Sequence, residues 1–372
     1  MKRLMILFLL CALLTGCAPR QLEEELLVIA LTVDRNEAGD VTVSVKAPRS
    51  AASGGDEAGD HYLMVEASGH TFSDALTMLN AATPRPLNFS QSREVIIGER
   101  AAKQEDFARL LQQIDALPRF RCSAAVIVCK GEATAFSKAQ KPYVGTRLSR
   151  YTETTLNNYA GKGFTPDTTL CDGVRDLGRG FCDPLFILGA VNDFSAISPD
   201  HDENALDSSA GELPRQSAEA VEVFGAAATD GVCVSGYLTG YEMALLHLME
   251  GHVEALSLRD AQDNTLRVLA SRPADINVDF SREPLLLSVR VFCEGQYTPG
   301  HPVNEPFIVQ LLREDIAAML RHLQSLRCDG FGFGCHAVRQ FLTVRDWEQA
   351  HWREAYCQAA IDVQVELRCM EN

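Results

Sequence analysis

Apolar and polar positions along this chain follow two periods, and the switches between them mark its elements. Residues 26–34, LLVIALTVD, form a nearly continuous apolar run with the length of a buried strand. Val41, Val43 and Val45 then alternate with Thr42, Ser44 and Lys46, the period of a half-buried strand. Residues 49–60, RSAASGGDEAGD, predict a flexible hairpin loop, and 62–67 the returning strand. Ala75, Leu76 and Leu79 have helical spacing, with Thr71 or Ser73 as the cap. Strands follow at 92–99 (SREVIIGE), 124–131 (AAVIVCKG) and 185–191 (LFILGAV). Helices are predicted over 105–116, from about Glu132, and over 146–159.

Between 195 and 217 the composition turns to Ser, Asp, Pro and Gly, the best linker in the chain. Beyond it, 220–242 predicts two strands joined by a turn at Asp230-Gly231. A helix at 241–249 and strands near 265–270 and 285–292 come next. The longest helix is expected over 303–326. Phe307, Ile308, Leu311, Leu312, Met319, Leu320 and Leu323 lie on its apolar stripe. The last strand alternates Ile361, Val363, Val365 and Leu367 with Asp362, Gln364, Glu366 and Arg368. Strands and helices mix without a strict βαβ rhythm, which predicts an α+β or mixed α/β protein.

The N-terminus follows neither period. Lys2-Arg3 precedes an apolar run over 4–14, too short to span a bilayer as a mature helix. Leu14-Thr15-Gly16-Cys17 follows, small residues before a cut and a cysteine directly after it. This is the order of a bacterial lipoprotein signal. It predicts a signal peptide at 1–16, an S-diacylglycerol and N-acyl modification on Cys17, and a lipidated tether over 17–25. Loss of Lys2 and Arg3 would move the net charge from −16 to −18. Such an acidic surface argues against nucleic acid and against adhesion to anionic lipid, so acyl chains would supply the membrane attachment.

Twelve cysteines are present. Setting aside Cys11 and Cys17 leaves 122, 129, 171, 182, 233, 293, 328, 335, 357 and 369. An even number in an exported chain admits a disulfide framework. Their apolar surroundings, as for Cys129 in AAVIVCK, favour mostly buried thiols instead.

No catalytic motif is present: no G-x-S-x-G, no H-E-x-x-H, no Walker-type loop and no C-x-x-C. No metal or cofactor is therefore expected. His247 and His252 should flank a helix end without binding metal. RCDGFGFGCHAVRQF, 327–341, suggests a phosphate loop but lacks G-x-G-x-x-G spacing and follows a helix, not a strand. Cys335 and His336 are sequence neighbours, a poor arrangement for one metal or for catalysis. The stretch is expected to end a helix at Asp329-Gly330, with its phenylalanines in the core.

The order of these features resembles the Ger(x)C family, the lipoprotein C subunits of spore germinant receptors. The resemblance lies in the lipobox, the strand ending at Asp34, Phe72-Ser73 with Ala75-Leu76, SREVIIGE, Arg121 and Lys130-Gly131. It continues through Val223-Phe224, Thr229-Asp230-Gly231, Gly236-Tyr237-Leu238, Glu242, DGFGFG, Trp347, Trp352 and the strand ending at Arg368. After the lipid cysteine the family usually has Trp-Asp and a basic residue, where this chain has Ala18-Pro19-Arg20. The resemblance implies three lobes: an N-terminal domain at 26–194, a linker at 195–217, and a C-terminal domain at 218–372 with sub-lobes near 218–275 and 276–372. It implies a non-enzymatic subunit with no catalytic residues. That subunit would be anchored on the outer face of the spore inner membrane and would sense small germinants with two integral-membrane subunits. A solute-binding lipoprotein that captures a nutrient itself is the alternative.

Overall fold

The computed structural model describes residues 24–48, 62–141, 148–193, 205–215, 220–252, 256–262, 264–297, 300 and 302–371. The leader at 1–16, Cys17, most of the tether, the loop at 49–60 and part of the 195–217 linker lie outside them.

The strands are β1 (Leu26–Leu27), β2 (Ala30–Arg35), β3 (Val41–Pro48), β4 (Tyr62–Gly69), β5 (Leu87–Asn88), β6 (Glu94–Gly98), β7 (Ala125–Cys129) and β8 (Leu185–Val191). They continue as β9 (Val221–Thr229), β10 (Val234–Leu238), β11 (Leu256–Arg259), β12 (Thr265–Asp279), β13 (Leu286–Tyr297) and β14 (Ala360–Glu371). The helices are α1 (Phe72–Ala82), α2 (Glu99–Ala102), α3 (Phe107–Asp115), α4 (Ala133–Ala139), α5 (Leu148–Gly161) and α6 (Leu170–Arg179). The second half holds α7 (Gly240–Glu250), α8 (Glu305–Ser325), α9 (Phe333–Ala337), α10 (Val344–Gln349) and α11 (Trp352–Gln358).

The protein is α+β. Among the described residues an eight-stranded sheet runs in the order β10-β9-β8-β7-β6-β2-β3-β4, and a four-stranded sheet in the order β11-β12-β13-β14. A short parallel pair, β1 with β5, stands apart. In the large sheet, β2, β6, β7 and β8 are mutually parallel, and antiparallel strands flank them on both sides. β9 and β10 lie after the expected linker yet extend the N-terminal sheet, so that sheet crosses the 195–217 boundary. The expected division near 275 falls inside β12.

Both faces of the large sheet are covered. Val41, Val43 and Val45 face a core shared with Phe72, Leu79, Phe107 and Leu111. On the other face Phe136 and Leu156 pack on Ile96, Ile127 and Ile187. This covering corrects the half-buried reading of β3, since Ser44 and Lys46 are buried too. The Lys46 ammonium donates to the carbonyls of Ser137 (2.7 Å) and Gln140 (2.9 Å) at the end of α4. Helix α6 escaped the apolar period, yet Thr169 and Asp172 give it a full capping box.

Helix α7 is buried almost all round, through Met243, Ala244, Leu245, Leu246, Leu248 and Met249. It sits in a core that joins Leu185, Ala226 and Leu238 of the large sheet to Leu266, Leu287 and Val289 of the small one. Helix α8 buries Ile308, Leu312, Ile316, Met319, Leu320 and Leu323. Phe307, expected on that stripe, is 39% exposed.

Candidate functional site

In open sheets with parallel strands, ligands gather outside the carboxyl ends of those strands. At this place β2, β6 and β7 deliver Asp34, Glu99 and Lys130-Gly131. Asp34 accepts hydrogen bonds from the backbone amides of Ala133 (2.7 Å) and Thr134 (2.8 Å) and from the Thr134 hydroxyl (2.6 Å). A residue 99 positions away thus caps α4, whose own N-cap, Glu132, makes no side-chain cap bond. Gly98 gives the carboxylate its room, because a Cβ there would stand 2.1 Å from Asp34 Oδ1.

Glu99 ties the next layer together. Its backbone amide donates to the Gly131 carbonyl at 3.0 Å, and its carboxylate accepts from the Gly131 amide at 3.2 Å. The same carboxylate accepts from Lys103 (2.6 Å) and from the Tyr237 hydroxyl (3.0 Å). The Lys103 bond is the main reason the Glu99 carboxyl lies below its ordinary range. The Tyr237 ring lies between two ammonium groups, Lys103 at 5.2 Å and Lys130 at 5.8 Å from its centroid. Lys130 then reaches Ser209 (2.7 Å) and Glu212 (2.9 Å). Buried Glu222 holds the same segment through the amides of Gly211 (2.7 Å) and Leu213 (3.3 Å) and the guanidinium of Arg215 (2.6 Å). The described part of the expected linker is therefore pinned to the sheet. The thiol at this edge, Cys129, is pushed far above its ordinary value by burial and by Asp34 and Glu99, the reverse of what a nucleophile needs.

A second polar joint connects the two sheets. Asp183, just before β8, is almost fully buried and receives Arg353 as a two-pronged pair at 2.7 and 2.9 Å. Arg353 also donates to the Arg327 carbonyl at 2.7 Å. The Asp329 amide donates to Asp183 Oδ2 (2.8 Å), and the Asp183 amide to the Asp329 carbonyl (3.2 Å). The Asp329 carboxylate in turn accepts from the amides of Gly332 (3.1 Å), Phe333 (2.9 Å) and Gly334 (2.6 Å). Burial pushes Asp329 up to about 7, against the pull of these amides.

DGFGFG is thus a turn wound around an aspartate. The helix before it ends at Ser325, and the left-handed residue that turns the chain is Arg327 (φ 56°), not a glycine at 330. Gly332 takes φ 83° further on. At Gly334 a Cβ would fall 1.8 Å from the Phe181 carbonyl oxygen. Phe333 is buried as expected, and Phe331 only in part. An aromatic column runs from Phe331 through Phe333, Tyr356, Trp352 and Trp347 to Phe341, with neighbouring centroids 5.4 to 6.3 Å apart.

The expectation of mostly buried thiols needs correction, since one pair is a disulfide and only three of the eight free cysteines among the described residues are buried. Cys122 and Cys171 form a disulfide, with Cα atoms 5.2 Å apart. Cys129, Cys293 and Cys328 are buried thiols, while Cys182, Cys233, Cys335, Cys357 and Cys369 are half-buried. His247 and His252 do flank the end of α7, as expected. His247 pairs there with Glu250 at 3.1 Å. Spacing could not foretell that Asp34 and Thr134, or Asp183 and Arg353, would meet. Only the family-like order singled out Asp34, Lys130-Gly131, Gly236-Tyr237-Leu238 and DGFGFG together, and the structure gathers them at these two joints.

A family model described as the spore germination protein N-terminal domain matches residues 19–186. A second, the spore germination B3/GerAC-like C-terminal domain, matches residues 225–371. The putative spore germination protein YfkR of Bacillus subtilis (strain 168) is 29% identical over 133 residues, 34% of this chain and 34% of that protein. The chain therefore matches about a third of the length of this curated relative. The crystal structure of the GerBC protein superposes with a TM-score of 0.55 over 91% of this chain and 96% of its own, at 11% identity, a likeness of fold. With one model on each half, the chain belongs to the Ger(x)C family of spore germination proteins.

Proposed function

We propose that the protein is a lipid-anchored, non-enzymatic subunit of a germinant receptor. It is held on the outer face of the spore inner membrane by acyl chains on Cys17 and assembles with two integral-membrane subunits to sense small germinants. The observation that carries this reading is the use made of the sheet's carboxyl edge. Where an enzyme or carrier of this architecture would keep a ligand cleft, the family-marking residues bind one another and fix helix α4 and the 209–215 segment. These internal bonds support the reading of a scaffold over that of a ligand-binding edge. No helix among the described residues is long and apolar enough to cross a membrane.

The test is mass spectrometry of the mature N-terminal peptide together with membrane fractionation. The expected result is a diacylglyceryl Cys17, and a Cys17→Ala chain that keeps its signal peptide uncleaved and carries no diacylglycerol. An unmodified Cys17 in membrane-bound protein would overturn the anchor.

A directly capturing solute-binding lipoprotein has one observation in its favour. A cleft of about 130 Å³ opens beside β2, lined by Arg35, His70, Asp106 and Arg109, charges of both signs that suit a small zwitterion. Arg35 and Asp106 already pair across it at 2.8 Å. Calorimetry with a panel of amino acids decides. The scaffold reading predicts no micromolar binding by the isolated chain.

A further inference from the structure

Two segments far apart in sequence pass each other in contact beside the Asp183–Arg353 joint. One is Phe181-Cys182-Asp183, between α6 and β8, and the other is the DGFGFG turn running into α9. The close approach is set by Gly334, whose position leaves no room for a Cβ against the Phe181 carbonyl. It is clamped by the Asp329 amide donating to the Asp183 carboxylate and the Asp183 amide donating to the Asp329 carbonyl. One residue beyond each point of contact stands a cysteine. The thiols of Cys182 and Cys335 are neighbours across this contact, and both side chains are half-buried, within reach of small reagents.

We propose that Cys182 and Cys335 are the two halves of a second disulfide, one that ties the segment entering the large sheet's β8 to the C-terminal lobe. The first, Cys122–Cys171, lies within the N-terminal half and constrains only that half. The Cys182–Cys335 pair spans the joint between the sheets, so its closure fixes their mutual position.

The chemistry is thiol–disulfide exchange with an external disulfide, a small dithio compound or an oxidoreductase, as oxidant. The Cys335 thiolate attacks one sulfur of that disulfide, forming a mixed disulfide and expelling one thiolate. Cys182 loses its proton to that leaving thiolate and attacks the Cys335 sulfur, forming the Cys182–Cys335 bond and expelling the second. Two protein thiols are oxidised, and one external disulfide is reduced to two thiols. Cys335 is suited to attack first. The neighbouring Cys182 thiol lowers it to about 7 against burial and the nearby Asp176 carboxylate, with Arg339 and Arg179 adding positive charge. In Cys182 the Cys335 neighbour and burial hold the proton on.

The test uses the full chain in detergent, incubated with oxidised glutathione and then digested without reduction for mass spectrometry. The expected result is a linked peptide pair containing Cys182 and Cys335, with the loss of two titratable thiols and a higher melting temperature. In Cys182→Ser the reaction should stop at glutathione on Cys335, and in Cys335→Ser no linked peptide pair containing Cys182 should form. Both variants remove only a half-buried thiol, so folding is read independently from the intact Cys122–Cys171 peptide. Absence of the 182–335 pair after oxidation, with Cys122–Cys171 present, would overturn the proposal. So would Cys335 joined to any other cysteine.

Discussion

At the scale of single residues, the fold depends on a few positions where a side chain is missing or misplaced in polarity. Gly334 is one, because its backbone touches that of Phe181. Gly334→Ala should cost about 3 kcal/mol by overpacking, read from urea unfolding. Gly332→Val should cost roughly 1–3 kcal/mol through its left-handed backbone alone. A loss under about 0.5 kcal/mol for both would remove the turn from the account. Glu94 is misplaced in polarity, buried with Gln140 donating to it at 3.0 Å. Burial raises its carboxyl to about 7. Between its ordinary value of 4.5 and about 7, the folded chain keeps a proton that the unfolded chain releases. Stability therefore falls as pH rises through that window. Glu94→Gln should raise the melting temperature relative to wild type at pH 8 and leave it little changed at pH 5. Parallel pH profiles for the two proteins would contradict the assignment. Neither kind of residue was legible in the sequence, where Gly334 belonged to a suspected loop and Glu94 to an ordinary strand. Contacts with residues distant in sequence decide both: Gln140 for Glu94, 46 positions on, and Phe181 for Gly334.

At the scale of elements, most strands and helices were legible from period alone, because each buries one face or one run. Helix α7 and the final strand are examples. The gaps have physical causes. Helix α6 is short and polar, so no apolar pattern announced it, and its Thr169–Asp172 capping box was the one signal present. The left-handed turn after α8 falls on Arg327, a residue type that gives no such signal. Helix α4 is capped from β2, so nothing near its own start reveals its anchor. Asp34→Ala should strip the start of α4 of two amide partners and cost about 2–4 kcal/mol. A thermal melt within a degree of wild type would show the cap to be idle. At the other joint, Arg353→Ala leaves Asp183 buried without its cation and should cost about 3–5 kcal/mol. Replacing both residues by apolar side chains should recover part of that loss.

At the scale of the whole molecule, two sheets share a core around α7, and polar joints fix both the sheet edge and the junction between the sheets. Part of the family-like order of motifs is explained by this convergence: Asp34, SREVIIGE, Lys130-Gly131, Gly236-Tyr237-Leu238 and DGFGFG each supply a contact of a joint. The family could be read from that order and not from any single residue, since no chemistry-bearing motif stands out. If the scaffold serves a germinant receptor, its loss must be felt in spores. The direct measurement is the germination of spores lacking this gene, followed by the fall in optical density across a panel of amino acids, sugars and nucleosides. The predicted result is loss of response to at least one germinant, restored by the wild-type gene. An unchanged response to every germinant, in spores with no other gene of this family, would contradict the account.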